Sequence, residues 1–284
     1  MAASNGKFFL LTIFFSMFSV LLAHPSNKNQ FEKRQGYNFP DFMGGAGKGL
    51  GGMMGGALQK NGGRGDGCKK YKIISARGTG ENQLYPTTYA KFISEVLASV
   101  PDGGNYEVFV YPATVDYVAG PGEGAADAMR YISGQKSSCP KQVYVLIGYS
   151  EGAMVVTQLL KEPELPASSI VAIVLYGNPY FKGGAPQNAC SALIFCFFFS
   201  GKTGAGVASE TGISMPSKYS SITFDCCATG DMVCQTIGSM VPHVTYSGSE
   251  NEKAAVRFTV SKLHGGQRQS SSRRKKKKNT IKLQ

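Results

Sequence analysis

Ser150 stands between Gly148 and Gly152, two positions from each, where the apolar run 142–147 stops and the helix-compatible run 153–160 begins. A serine so placed can sit on a strand-to-helix turn too tight for side chains on its flanks, which lifts the hydroxyl clear of the sheet. In a glycine-rich chain the bare spacing means little, so its weight comes from the strand before and the helix after. A serine hydroxyl is a weak nucleophile until a base takes its proton. Of the three histidines, His24 adjoins an apolar N-terminal segment and His264 opens a basic tail, which leaves His243 as the imidazole of the folded body. An acid must then hold the imidazole tautomer and stabilise its charged form. Asp231, in the stretch between Cys227 and Cys234, is expected in that role. Asp225 is the other candidate, ranked second because it lies at a strand end and Asp231 in a loop. At a helix N-terminus, backbone N–H groups and the helix dipole face an oxyanion. A second N–H is expected from Thr79, which lies between Gly78 and Gly80 just past another strand.

These residues need elements that carry them to one edge. Strands are expected at 71–75, 106–111, 142–147, 170–176 and 221–224, and helices at 87–100, 124–134, 152–161 and 250–263. The first helix shows the period plainly, with Tyr89, Phe92, Val96 and Leu97 on one face and Lys91 and Glu95 on the other. Such alternation predicts an α/β fold, a mainly parallel central sheet with helices on both faces and the site at the carboxyl ends of the strands. Ser150 and Thr79 both fall at that edge. The chain order Ser150, Asp231, His243 is the nucleophile, acid, base order of α/β-hydrolases and differs from that of chymotrypsin-like and subtilisin-like enzymes. Between residues 177 and 221 the pattern is irregular. The apolar run 193–199 is either a buried segment or a lip for an apolar substrate.

The 284 residues suffice for one ordinary domain and appendages. Lys7 followed by an apolar run, too short for a membrane anchor, marks 1–23 as a signal peptide. Residues 24–34 form a pro-segment if Lys33-Arg34 is cleaved, or an ordinary solvated stretch if it is not. Residues 35–67 read as a glycine-rich flexible leader, 68–263 as the catalytic domain and 264–284 as a disordered basic tail. The net charge of +12 is concentrated at the ends, with eight Lys and Arg and no acid after His264 and a further +3 before Gln35. The body is therefore close to neutral, and no nucleic acid is expected as partner. The tail is either a solvated appendage or a weak contact for anionic surfaces. Seven cysteines, all beyond residue 67, fit an oxidising, extracellular compartment. None is spaced with histidines as a metal site would require, and no metal or cofactor is expected.

Three motifs carry a resemblance. Ala76-Arg77-Gly78-Thr79 follows the first strand, Gly148-Tyr149-Ser150-Glu151-Gly152-Ala153 forms the elbow, and Cys227-Ala228-Thr229-Gly230-Asp231-Met232-Val233-Cys234 precedes Pro242-His243. In these the chain resembles the cutinase family, which also contains secreted fungal acetylxylan esterases, over residues 68–263. The resemblance implies a small, lidless α/β-hydrolase with Ser150, Asp231 and His243 as catalytic residues and the backbone of Thr79 and Glu151 as oxyanion hole. It also implies pairing of Cys68 with Cys139 and of Cys227 with Cys234.

Two features depart from the family pattern. Glu151 stands where many relatives carry glutamine, and a carboxylate beside developing negative charge is unfavourable unless neutralised or turned away. The segment from Cys190 to Cys226 is long and brings three extra cysteines, of which Cys190 and Cys226 are expected to pair and Cys196 to stay buried among phenylalanines. The expected function is that of a secreted, monomeric serine esterase cleaving cutin-like polyesters or lipidic esters through an acyl-enzyme. Deacetylation of xylan is the alternative, less suited to a chain without Trp whose Met240-Val241 beside His243 favours an acyl chain. A non-catalytic wall-adhesion protein using the basic tail ranks last, since adhesion gives no reason for Ser150, Asp231 and His243 to occur together.

Overall fold

A computed structural model describes residues 68–83, 85–101, 103–190 and 204–281, with side chains described up to residue 265. All lie in the second of two compact units, Gly52–Gln284. The expected signal peptide, pro-segment and leader lie outside the described residues, as do the run 193–199 with Cys196 and the basic side chains of the tail.

Among the described residues five strands pair in parallel: β1 Tyr71–Ala76, β2 Gly104–Val108, β3 Val143–Tyr149, β4 Ile170–Tyr176 and β5 Thr223–Cys226. The helices are α1 Ala90–Ser99, α2 Gly120–Ser138, α3 Glu151–Leu159, the single turns α4 Met232–Gln235 and α5 Met240–His243, and α6 Glu250–Ile281. The spatial order β2-β1-β3-β4-β5 reverses direction between β1 and β3. Loops leaving the carboxyl ends of those two strands therefore diverge to opposite faces and open a crevice between them. Ser150 follows β3 and Thr79 follows β1, so both border it.

The strands are apolar throughout because both faces of the sheet are covered. Along β3, Tyr144 and Leu146 pack with Met129 and Ile132 of α2 and Val155 and Leu159 of α3. Val145 and Ile147, which point the other way, pack with Phe92 and Val96 of α1 and Ala255 and Val256 of α6. Burying one such side chain contributes roughly 1.5–3 kcal/mol, so the platform under Ser150 is firmly held.

Several boundaries differ from expectation, each for a local reason. Helix α1 starts at Ala90 and not at residue 87, because the Glu81 carboxylate accepts from the Thr88 N–H at 3.0 Å and its hydroxyl at 2.7 Å and holds that segment outside the helix. Helix α2 begins four residues early, at Gly120, where Pro121 suits the first turn and Asp116 accepts from Ala119 N–H at 3.0 Å. It passes through the exposed Gly134, a tolerable cost of about 1 kcal/mol. Strand β2 ends at Val108, before the expected Tyr111, as the chain turns to bury the Tyr111 ring. The helix expected to end at Leu263 continues to Ile281, across the segment expected to be disordered. No proline interrupts it there, and its Lys, Arg and Gln residues are good helix formers.

Disulfides join Cys68 to Cys139, Cys190 to Cys226 and Cys227 to Cys234. The first ties the chain entering β1 to the end of α2. The other two lie at the end of β5 and frame the segment that carries Asp231.

Candidate active site

Ser150 takes φ +54° and ψ −120°, a conformation costly for a side-chain-bearing residue and retained where the surroundings over-determine it. Here its N–H donates to Tyr176 O at 2.9 Å, while its own carbonyl accepts from Ala153 N–H at 2.9 Å in the first turn of α3. A Cβ at Gly148 would lie 2.3 Å from Gly152 O, and one at Gly152 would lie 2.0 Å from Ala76 O. Both glycines are thus demanded by the closeness of β3, α3 and β1, and the serine hydroxyl projects from the turn half-buried.

The structure brings His243 and Asp231 to that hydroxyl. His243 Nε2 lies 3.0 Å from Ser150 Oγ, and its Nδ1 lies 2.9 Å from Asp231 Oδ2 and 3.0 Å from Oδ1. Each residue owes its place to a helix end. Asp231 caps α4, accepting from Val233 N–H at 2.9 Å, and His243 closes α5, which Ser239 caps. Both side chains are buried, His243 under the ring of Tyr149 at 5.0 Å between centroids. With Nδ1–H donated to the carboxylate, Nε2 is left as the acceptor for the serine proton.

Two residues here were not anticipated. The Tyr246 hydroxyl donates to Asp231 Oδ2 at 2.7 Å and accepts from Ala228 N–H at 2.9 Å, while its ring stacks on Tyr176 at 5.0 Å. Burial raises its pKa well above the usual value, so it stays a proton donor to the carboxylate. Gly177, at φ +56°, leaves the room that the imidazole occupies, since a Cβ there would lie 2.6 Å from His243 Cε1. No short motif marks either residue. A glycine immediately after an apolar strand was the one available hint.

Asp225 is kept away from the imidazole. Asn178 Nδ2 donates to its Oδ2 at 3.2 Å, while Oδ1 is buried without a partner. Burial pushes its carboxyl up to about 7, against which the Asn178 bond acts. Asp231 differs by accepting from Val233, Tyr246 and His243 together, a donor set that suits a carboxylate facing an imidazolium.

On the crevice side, the turn at Gly78 abuts Ser150, for a Cβ at Gly78 would lie 3.4 Å from Ser150 Cβ. No described residue accepts from the backbone N–H of Thr79 or of Glu151. The Glu151 side chain is fully buried, and its Oε2 accepts from Thr79 Oγ1 at 2.7 Å. Burial pushes its carboxyl up to about 7, with Asp116 acting the same way and the Thr79 bond and Arg77 acting against it. The arrangement therefore brings a serine hydroxyl, an imidazole bonded to a carboxylate, and two backbone N–H groups with no described acceptor to one strand edge, a set with which acyl transfer could be carried out.

Residues 67–263 match the family model described as Cutinase. A curated carboxylesterase, Culp1 of Mycobacterium tuberculosis, is 29% identical over 205 residues, which cover 71% of this chain and 85% of that protein. Among solved structures, a cutinase-like protein from Cryptococcus sp. superposes with a TM-score of 0.60 at 29% identity, covering 70% of this chain and 97% of its own. The catalytic core domain of acetyl xylan esterase from Trichoderma reesei shares the fold, with a TM-score of 0.57 at 24% identity over 69% of this chain and 99% of its own.

Proposed function

The chain belongs to the cutinase family and is a carboxylic ester hydrolase, and from this we propose that it is a secreted serine esterase acting on cutin-like polyesters or other esters of apolar acyl chains. The observation that carries the reading is the unbroken path Ser150 Oγ, His243 Nε2, His243 Nδ1, Asp231 beside the unengaged N–H groups of Thr79 and Glu151. In the first half-reaction Ser150 Oγ attacks the acyl carbon and its proton passes to His243 Nε2. The carbonyl oxygen becomes an oxyanion that accepts from the Thr79 and Glu151 N–H groups. His243 returns the proton to the departing alkoxide, leaving an acyl-serine. Water, deprotonated by the same imidazole, then releases the acid and restores Ser150.

The rim supports an apolar acyl group. Val241 and Val244 flank His243 and are well exposed, at 66% and 59%. The loop leading into α2 exposes Val115, Tyr117 and Val118, and Gly120 at its end adjoins Glu151. Apolar side chains facing water near a polar site suit a substrate that removes them from water. Three disulfides support a secreted protein. Initial rates on p-nitrophenyl butyrate, a polyester film and acetylated xylan, with Ser150→Ala as blank, test the assignment. Turnover of the butyrate ester and film is expected. Acetate release from xylan as the dominant activity would replace the acyl-chain reading by deacetylation, and equal rates in the blank would remove Ser150 from the chemistry.

A further inference from the structure

Glu151 contributes its N–H to the proposed oxyanion site, yet its side chain has no place in the reaction just described. That side chain is a carboxyl with no exposed surface, bonded through Oε2 to the Thr79 hydroxyl, while Oε1 is buried without a hydrogen-bond partner. An ionised carboxylate in such a setting would lack most of the donors it needs. The nearest cation does not supply them. Arg77 donates through Nε to Glu81 O at 2.9 Å, through one terminal nitrogen to Pro112 O at 3.1 Å, and through the other to Gln83 Oε1. The other titratable groups facing Glu151 are Asp116, from the loop before α2, and Tyr111, after β2, with Glu81 beyond Arg77. None of these neutralises a charge on Glu151. Gly120 closes the Oε1 side, where a Cβ would lie 3.0 Å from that oxygen.

We propose, resting on the serine-esterase reading, that Glu151 is a positioning residue whose carboxyl proton sets the direction of the Thr79 hydroxyl, making the oxyanion site competent when Glu151 is neutral and impaired when it is ionised. A hydroxyl has one proton to give. When Glu151 is ionised, Thr79 gives that proton to Oε2, and a negative charge stands beside the N–H that must meet an oxyanion. When Glu151 is neutral, its own O–H donates to Thr79 Oγ1 across the same 2.7 Å contact, and the Thr79 proton turns to the oxyanion. The burial that favours the neutral acid also brings the changeover near neutrality, at about 7. The sequence already marked the position, since a carboxylate next to developing negative charge has to be neutralised or turned away, and the proposed arrangement neutralises it.

The test compares the wild type with Glu151→Gln, whose amide is a permanently neutral donor to Thr79. Methyl butyrate hydrolysis is followed by titration from about pH 6 to about pH 9, a range in which catalytic groups reveal themselves as limbs of the profile. Wild-type kcat/KM should fall about tenfold on the alkaline side, less than the full loss of one oxyanion donor, and Glu151→Gln should hold its plateau. In a Thr79→Val background the difference between Glu and Gln should narrow. Infrared spectra at about pH 6, recorded as the difference between wild type and Glu151→Gln so that the buried Asp225 carboxyl cancels, should show a protonated-carboxyl stretch belonging to Glu151, and Ser150→Ala should retain it. The inference alone is overturned if that band is absent while turnover is normal, if Glu151→Gln keeps the alkaline fall, or if Thr79→Val leaves the difference unchanged. A wild type that hydrolyses no ester overturns the esterase reading, and this inference with it.

Discussion

Ser150 and Glu151 are held by the sheet itself, whereas Asp231 and His243 ride on two four-residue helices beyond its last strand. On the serine side a short stretch of chain suffices: a buried strand, a turn that only glycine flanks permit, and a helix that starts at once. On the acid–base side the backbone has little regular structure, and order comes from outside it. The Cys227–Cys234 bridge encloses Asp231, Tyr246 just past α5 reaches its carboxylate, and Gly177 just past β4 leaves space for the ring. One half of the site is placed by local geometry and the other by cross-links and packing. Damage to the second should therefore show in rate before it shows in fold.

The harshest test removes a chemical group from each half. Ser150→Ala and His243→Ala should each lower kcat on the order of 10⁶-fold, and the double variant little further, because in the proposed mechanism nucleophile and base act as one unit. Single-turnover rates on a soluble ester measure this, and near-normal turnover in His243→Ala would separate the two halves.

The disulfides sharpen the contrast. Chain-entropy loss in the unfolded state makes Cys68–Cys139, with a separation of 71, worth about 4 kcal/mol, and Cys227–Cys234, with a separation of 7, about 2.5 kcal/mol. Replacing the first pair by serine should lower the denaturation midpoint more and leave kcat nearly unchanged. Replacing the second should lower kcat more. Urea unfolding and kcat measured on both variants check the crossing of the two effects.

Asp225, six residues before Asp231, provides a comparison within the acid–base side. Burial pushes its carboxyl up to about 7 in the fold, above the 3.8 of an ordinary aspartate. The native state therefore keeps a proton that the unfolded chain releases between those values, so stability is greatest below about pH 4, declines up to about pH 7 and is level above. Asp225→Asn should remove this decline and add on the order of 2–4 kcal/mol at pH 8, with much less at pH 4. Melting curves at the two pH values decide it, and an equal shift at both would show that Asp225 ionises freely in the fold. The smallest expected effect is that of Tyr246→Phe, which deletes the donor to Asp231 Oδ2. About 1 kcal/mol of stability and about a tenfold loss in kcat are expected, with KM unchanged. An unaltered kcat would mean that Val233 and the imidazole alone orient the acid.

The sheet was legible because burial on both faces turns each central strand into a continuous apolar run, and Ile170–Tyr176 was expected with the bounds it has. The strand around Ser150 was legible for the same reason, and its turn because the spacing of Gly148 and Gly152 is itself the steric requirement. Helix ends were less so. Thr88 is kept out of α1 by Glu81, seven residues earlier in the same connection, and that bond depends on how the connection folds back on itself.

What the sequence by itself determined is therefore the set of parts whose causes are local: the elbow, the strand order along the chain, and the shortage of histidines that left one imidazole for the body. The sequence ranked Asp231 ahead of Asp225, and the tertiary structure supplies the physical reason: Asp231 accepts from Val233, His243 and Tyr246, whereas Asp225 is bonded to Asn178. Tertiary structure alone decided that Tyr246 and Gly177 belong to the site and that the Glu151 carboxyl is buried against Thr79. Burial and hydrogen-bond partners are properties of neighbours in space, and in a parallel sheet those neighbours arrive from crossovers dozens of residues away.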